Sequence, residues 1–223
     1  MERLSTGIRG LDQLVDDGIP RSWVILVKGP PGCGKTTLSL QFLCYGAENG
    51  EYGIYITIGE PISHVKKYVR FNLNLEELIA DGKLILVDTK IIKLSDLSKI
   101  LQDAVNKYNA QRIVIDSFTS LISLYREESE LRKEFSNFLD VIRDVENATW
   151  MIIEEGTSNS PDALSEFVAD GVINLTYFLR GNHRIRGLEI TKMRGTAHSE
   201  GIHLYKFDED GITVYPEEKV FEV

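Results

Sequence analysis

The sequence predicts an α/β fold, with a mostly parallel central sheet flanked by helices and an antiparallel extension toward the C-terminus. Three observations lead there. Five short apolar runs are rich in isoleucine and valine and do not alternate with polar residues, which is how strands covered on both faces read. Stretches with helical spacing lie between them. After residue 170 the pattern changes to strand-like segments joined by turns.

Taken in order, the runs are WVILV (23–27), IYITI (54–58), LILV (84–87), RIVI (112–115) and WMII (150–153). Leu97, Ile100, Leu101, Ala104, Val105 and Tyr108 recur at helical spacing, as do Leu131, Phe135, Phe138, Leu139, Ile142 and Val145. Each set forms one apolar stripe able to cover a sheet face. Strand–helix–strand repetition means parallel α/β. VINLTYFLRGNHRIRGLEITKMRG divides into two strand-like halves around Gly181 and Asn182, and IHLYKF and ITVYP follow, so antiparallel strands extend the parallel core at one side. No internal repeat, low-complexity tract or linker stands out, and we expect one domain over residues 1–223.

With 43% hydrophobic and 26% charged residues, a chain of 223 residues can bury a full core. No apolar run approaches the ~20 residues that span a bilayer. The N-terminal MERLSTGIRG is polar, and a cytoplasmic location is expected. A net charge of −9 disfavours a broad nucleic-acid-binding face. Cys33 and Cys44 would lie about 16 Å apart along a helix at ~1.5 Å per residue, too far for a disulfide. Four scattered histidines show no metal-ligand spacing.

The strongest motif follows the first run. Gly29-Pro30-Pro31-Gly32-Cys33-Gly34-Lys35-Thr36 fits G-x-x-x-x-G-K-[ST], the phosphate-binding P-loop. Its glycines let backbone N–H groups turn inward around phosphates, and the helix that opens near Lys35 adds its positive end. Lys35 would meet the β and γ phosphates, and the Thr36 hydroxyl would bind Mg²⁺. Cys33 sits at a free position of the motif; a small residue suffices there, although a thiol near a helix N-terminus can also be activated. RIVIDS supplies Asp116 at the end of a buried strand. Ligands of open parallel sheets sit beyond the carboxyl ends of the strands, so Asp116 and Thr36 can share one Mg²⁺.

These segments resemble the RecA superfamily of P-loop NTPases and, more narrowly, KaiC-like ATPases. The likeness runs from STGIRGLDQLVDDGIPR through the P-loop and RIVIDSFTSL to EFVADGVINL and ITKMRGTAHSEGIHLYKFDEDGITVYP. The resemblance implies a homohexameric ring with ATP between neighbouring subunits. One subunit would hold the phosphates through Gly32, Cys33, Gly34, Lys35, Thr36 and Thr37. Lys192, Met193, Arg194, Thr196 and His198 match the segment that reaches the neighbour's nucleotide. Lys192 and Arg194 stand two apart on a strand and share one face, so they could clamp a γ-phosphate as arginine fingers do; the alternative is a solvated basic strand edge.

The family's water-activating glutamate follows the second core strand, as the first of a Glu-Glu pair. Here the sequence is YITIGEP: Gly59 stands in the first place and Glu60 in the second. One step along an extended chain reverses a side chain, yet Gly59 permits unusual backbone angles and Pro61 keeps Glu60 extended. Glu60 is the candidate base, with Glu154 and Glu155 as alternatives; it could instead serve as a favourable charge before the next helix. Phe71-Asn72-Leu73-Asn74 stands where the family often has Phe-Gly-Trp-Asp.

The resulting expectation is a slow Mg²⁺-dependent ATPase acting as a ring-shaped switch or assembly factor, with two alternatives. Gly59 fits a non-hydrolysing, nucleotide-gated interaction module. A RecA/RadA-like DNA-binding recombinase fits less well, because the stretches LYREESEL and EEGTSNSPDALSE are acidic overall. An unidentified protein partner accompanies either of the first two readings.

Overall fold

The computed structural model describes residues 2–69, 71–90, 93–145, 147–156, 166 and 169–220. A short antiparallel pair, β1 (Arg3–Leu4) and β2 (Ile19–Pro20), precedes the first apolar run. That run becomes β3 (Val24–Gly29), buried along its length. It leads into α1 (Lys35–Glu48), β4 (Gly53–Ile58), α2 (Ile62–Tyr68), α3 (Leu75–Ala80) and β5 (Leu84–Thr89). Next come α4 (Leu94–Tyr108), β6 (Arg112–Asp116), α5 (Phe118–Ile122), α6 (Glu128–Asp144) and β7 (Thr149–Glu155). Strands β8 (Gly171–Arg180), β9 (His183–Met193), β10 (Ile202–Asp208) and β11 (Gly211–Lys219) close the chain.

Among the described residues these strands form a nine-stranded sheet in the order β11-β10-β9-β8-β3-β7-β6-β4-β5. Every neighbouring pair from β8 to β5 is parallel. The β8–β9, β9–β10 and β10–β11 pairs are antiparallel. This is the architecture the apolar runs predict.

Successive residues of a strand face opposite sides, and the second run shows the consequence. Ile54, Ile56 and Ile58 pack with Leu97, Leu101, Phe135 and Phe138 under α4 and α6. Tyr55 points the other way, into a core with Leu38, Phe42 and Leu43 of α1. Fully burying a side chain such as Phe138 contributes about 1.5–3 kcal/mol. The predicted helical stripes of α4 and α6 face that second core. Helix α1 is buried on most of its surface, because α3 and the edge strand β11 pack against it in addition to the parallel strands. Gln41 ties it there: its amide donates to the carbonyls of Asp210 and Ile212 and accepts from the Ile212 N–H.

One expectation is corrected. LILV was predicted to be covered on both faces, but β5 is the outermost strand and only half-buried. With one neighbour and little helix beyond it, the strand uses aliphatic residues without full burial. Cys33 and Cys44 are both free and buried. No described helix is long and apolar enough to cross a membrane.

Candidate nucleotide site

The parallel strands all end at one edge, and the polar residues that follow them converge there. After β3 the backbone turns through Gly32 and Gly34, both left-handed (φ +78° and +101°), before α1 begins at Lys35. Glycine is required at Gly34 twice over, since a Cβ there would approach the Phe207 ring to 2.5 Å. The turn borders a cleft of about 800 Å³ lined by Gly32, Gly34, Lys35, Thr36, Thr37, Glu60 and Asp116.

Within the cleft, the Lys35 ammonium donates to the carbonyls of Gly29 (2.9 Å) and Pro30 (3.1 Å). The Thr36 hydroxyl donates to Asp116 Oδ2 at 2.7 Å. Burial raises the Asp116 carboxyl above its ordinary range, against the hydrogen bonds from Tyr55 and Thr36 and the charge of Lys35. Tyr55 also donates to Asp116 Oδ2 at 2.7 Å. Burial, with Asp116 beside it, pushes the Tyr55 phenol well above its usual value, so it remains a donor.

Glu60 lines the same cleft. Strand β4 has ended at Ile58, and Gly59 is left-handed at φ +82°. The alternation of an extended strand therefore does not govern where Glu60 points. The turn is fixed by Gly59 N–H to the Thr89 carbonyl (2.9 Å) and the Thr57 hydroxyl to the Glu60 carbonyl (3.0 Å). Of the alternatives, Glu155 lines the cleft. Glu154 is buried 3.7 Å from the Lys28 ammonium and borders a smaller cavity of about 210 Å³.

Cys33 is fully buried, and burial raises its thiol, so the helix N-terminus does not activate it. Its role in the loop is through the backbone, where its carbonyl accepts a hydrogen bond from the Tyr205 hydroxyl.

The second predicted group lies elsewhere. Lys192 pairs across the ladder with Val172, and the Arg194 N–H bonds the Asp170 carbonyl just before β8 begins. Because β8 runs parallel to β3, Arg194 lies at the amino edge of the parallel strands, opposite the P-loop. Strand β9 ends at Met193, so Arg194 is the first residue beyond it. None of Lys192, Met193, Arg194, Thr196 and His198 lines the cleft. Lys192 Nζ donates to the Glu166 carbonyl at 2.7 Å, and Arg194 meets Asp170 at 3.2 Å. Burial lowers the Lys192 ammonium, helped by the nearby Arg194. Met193 is buried, and Thr196 accepts from Arg3 at 3.4 Å. His198 Nδ1 lies 3.2 Å from the Ser199 carbonyl.

Some residues in and behind the cleft escaped the sequence reading. Phe71 and Phe207 line the mouth and stack at 5.9 Å with planes 11° apart. Tyr55 looked like one more core residue, although a tyrosine in an aliphatic run signals a buried hydroxyl in need of a partner. Of the Phe71–Asn74 stretch, Asn72 N–H bonds the Glu209 carbonyl (2.8 Å) and Asn74 Nδ2 bonds Glu48 (2.7 Å). Both contacts secure a segment that carries Phe71 to the cleft.

The family model described as "ATPase: KaiC" matches residues 4–219. The chain belongs to the KaiC family of ATPases. Circadian clock oscillator protein KaiC 1 of Synechocystis is 33% identical over 97% of the chain, and KaiC of Nostoc is 34% identical over 97%. The chain spans 44% of the length of each, less than half. A crystal structure of a KaiC-like protein from Pyrococcus horikoshii superposes with a TM-score of 0.88 at 30% identity, covering 96% of this chain and 99% of that one. The P-loop, the parallel sheet and the antiparallel extension are therefore those of a KaiC-like, RecA-fold ATPase.

Proposed function

We propose that this KaiC-family chain binds Mg²⁺-ATP in the cleft and hydrolyses it slowly, as one subunit of a homo-oligomeric ring, six-membered by resemblance, that acts as a switch or assembly factor. The observation that carries the reading is the 2.7 Å hydrogen bond from Thr36 to Asp116 in a cleft that also holds Lys35 and Glu60. A hydroxyl and a carboxylate side by side are hard oxygen donors, the set that Mg²⁺ takes. Thr36 and Asp116 would hold the ion, which neutralises phosphate charge when bound. Lys35 and the backbone N–H groups of residues 32–37 hold the phosphates. Glu60 orients and deprotonates the attacking water.

Lys192 and Arg194 act in trans. Their place at the opposite sheet edge supports this, because a chain cannot bring them to its own cleft without breaking the β8–β9 ladder. In the ring they would stabilise charge on the γ-phosphoryl group of a neighbour's nucleotide. We propose a single domain over residues 1–223, a cytoplasmic location, and a protein partner that reads the ring's nucleotide state.

Gly59 supports a second reading, a module that binds ATP and does not cleave it. Steady-state phosphate release with Mg²⁺-ATP separates the two, with Lys35→Ala as the blank. Release above the blank supports hydrolysis; ATP binding without release establishes the second reading. The DNA-binding alternative gains no support. Glu127, Glu128 and Glu130 are exposed at the start of α6, and residues 157–165 of the other stretch lie outside the described residues.

A further inference from the structure

The hydroxyl of Tyr55, which reaches the cleft residue Asp116 from the core behind it, plays no part in the proposed reaction. Tyr55 is 1% exposed, on an interior strand, with β5 and β6 on either side of β4. Its ring belongs to the core shared with α1, yet its hydroxyl reaches Asp116 Oδ2 at 2.7 Å. The two residues lie on neighbouring strands, where Tyr55 is in register with Val114 and Thr57 with Asp116. The phenol therefore spans two residues along the ladder to meet the carboxylate.

Oδ2 accepts two hydrogen bonds, from Tyr55 and from Thr36. A carboxylate has about four lone-pair sites, so Oδ1 remains to face a cation or its water. The two donors fix the plane of the carboxylate. They also set the Thr36 hydroxyl: its single proton is committed to Asp116, which leaves its lone pairs for the metal. Phenylalanine at this position would fill the core equally well. The hydroxyl contributes nothing to apolar packing, and its partner is the residue assigned to the metal.

We propose that Tyr55 is a positioning residue for the divalent cation, holding Asp116 in the orientation that, with Thr36, favours Mg²⁺ in the cleft. The inference rests on the Mg²⁺ role assigned above to Thr36 and Asp116. Partners that orient metal ligands typically account for about 10–100-fold in metal affinity or activity.

The test is the Mg²⁺-dependent gain in nucleotide affinity, read without turnover. A non-hydrolysable ATP analogue is titrated calorimetrically into the protein with excess EDTA and again with excess Mg²⁺. Tyr55→Phe should leave the EDTA affinity within about twofold of wild type while reducing the Mg²⁺-dependent gain about tenfold. An undiminished gain, or an equal loss in EDTA and Mg²⁺, would overturn the proposal, the second because it reports damage to the cleft and not to metal placement. Asp116→Asn separates this outcome from failure of the underlying reading. If Asp116→Asn removes the gain and Tyr55→Phe does not, only the role of Tyr55 falls. If neither variant changes the gain, the assignment of Asp116 to the metal falls with it.

Discussion

The parallel and antiparallel halves of the sheet place their polar residues by different rules. In the parallel half, strand interiors are largely aliphatic, and Lys35, Thr36, Glu60, Asp116 and Glu155 gather where β3, β4, β6 and β7 end. Parallel strands share a direction, so their ends share an edge, and chemistry dispersed over 120 residues of sequence is collected by topology alone. The antiparallel half has no common end. Its residues serve two edges: the apolar Phe207 borders the P-loop, while the cations Lys192 and Arg194 lie at the far side. The parallel half can build a phosphate site within one chain, whereas the antiparallel half braces that site and carries at its far edge the two cations proposed to act on a neighbour's nucleotide.

The comparison is tested most severely at Lys35. Lys35→Ala should abolish measurable ATP binding by calorimetry while the fold, followed by circular dichroism, persists. Retained micromolar affinity would mean that the parallel edge is not the phosphate site. The next largest effect belongs to the opposite edge. Arg194→Ala should lower phosphate release about 10²–10³-fold with ATP affinity within a few-fold, as for loss of a donor used in the transition state. Mixing Arg194→Ala with Glu60→Gln chains should recover activity, because an interface that combines the intact Glu60 of one with the intact Arg194 of the other is complete. Absence of recovery in a verified mixed oligomer would refute the two-chain site. Glu60→Gln alone should reduce release about 10²-fold at unchanged ATP affinity. An unchanged rate would move the base to Glu155, the other glutamate that lines the cleft.

The same contrast decides what was legible in the sequence. Strand and helix identity in the parallel half follows from period and burial, so β3, β4, β6, β7, α4 and α6 appear near their predicted positions. The P-loop was visible because its chemistry is local: glycines, a lysine and a threonine within eight residues. The half-buried state of β5 was not visible, since an outer strand and a central one use similar residues and differ only in their neighbours. Tyr55 and Asp116 meet 61 residues apart, and Tyr205 finds Cys33 across 172. Such pairs depend on strand order, which periodicity does not encode. Gly59 was conspicuous in YITIGEP, but its left-handed angle, which frees Glu60 from strand alternation, required the backbone.

The smallest expected effect separates the two duties of the antiparallel half. Tyr205 is 1% exposed, and its hydroxyl donates to the Cys33 carbonyl inside the P-loop. Tyr205→Phe keeps the ring and its packing but leaves a buried carbonyl without this donor, at a cost of about 1–3 kcal/mol. For a chain of this size each kcal/mol lowers the melting temperature by about 2–4 °C. Because the lost bond lies within one chain, ATP affinity should fall a few-fold whether the protein is dilute or fully assembled. The Arg194→Ala defect, by contrast, should appear only where subunits meet. Calorimetric ATP titrations above and below the assembly concentration check the Tyr205→Phe loss, and phosphate release over the same range checks the Arg194→Ala defect. If the Tyr205→Phe loss occurred only in the assembled protein, β10 would be acting through the ring and not as a brace beneath its own phosphate loop.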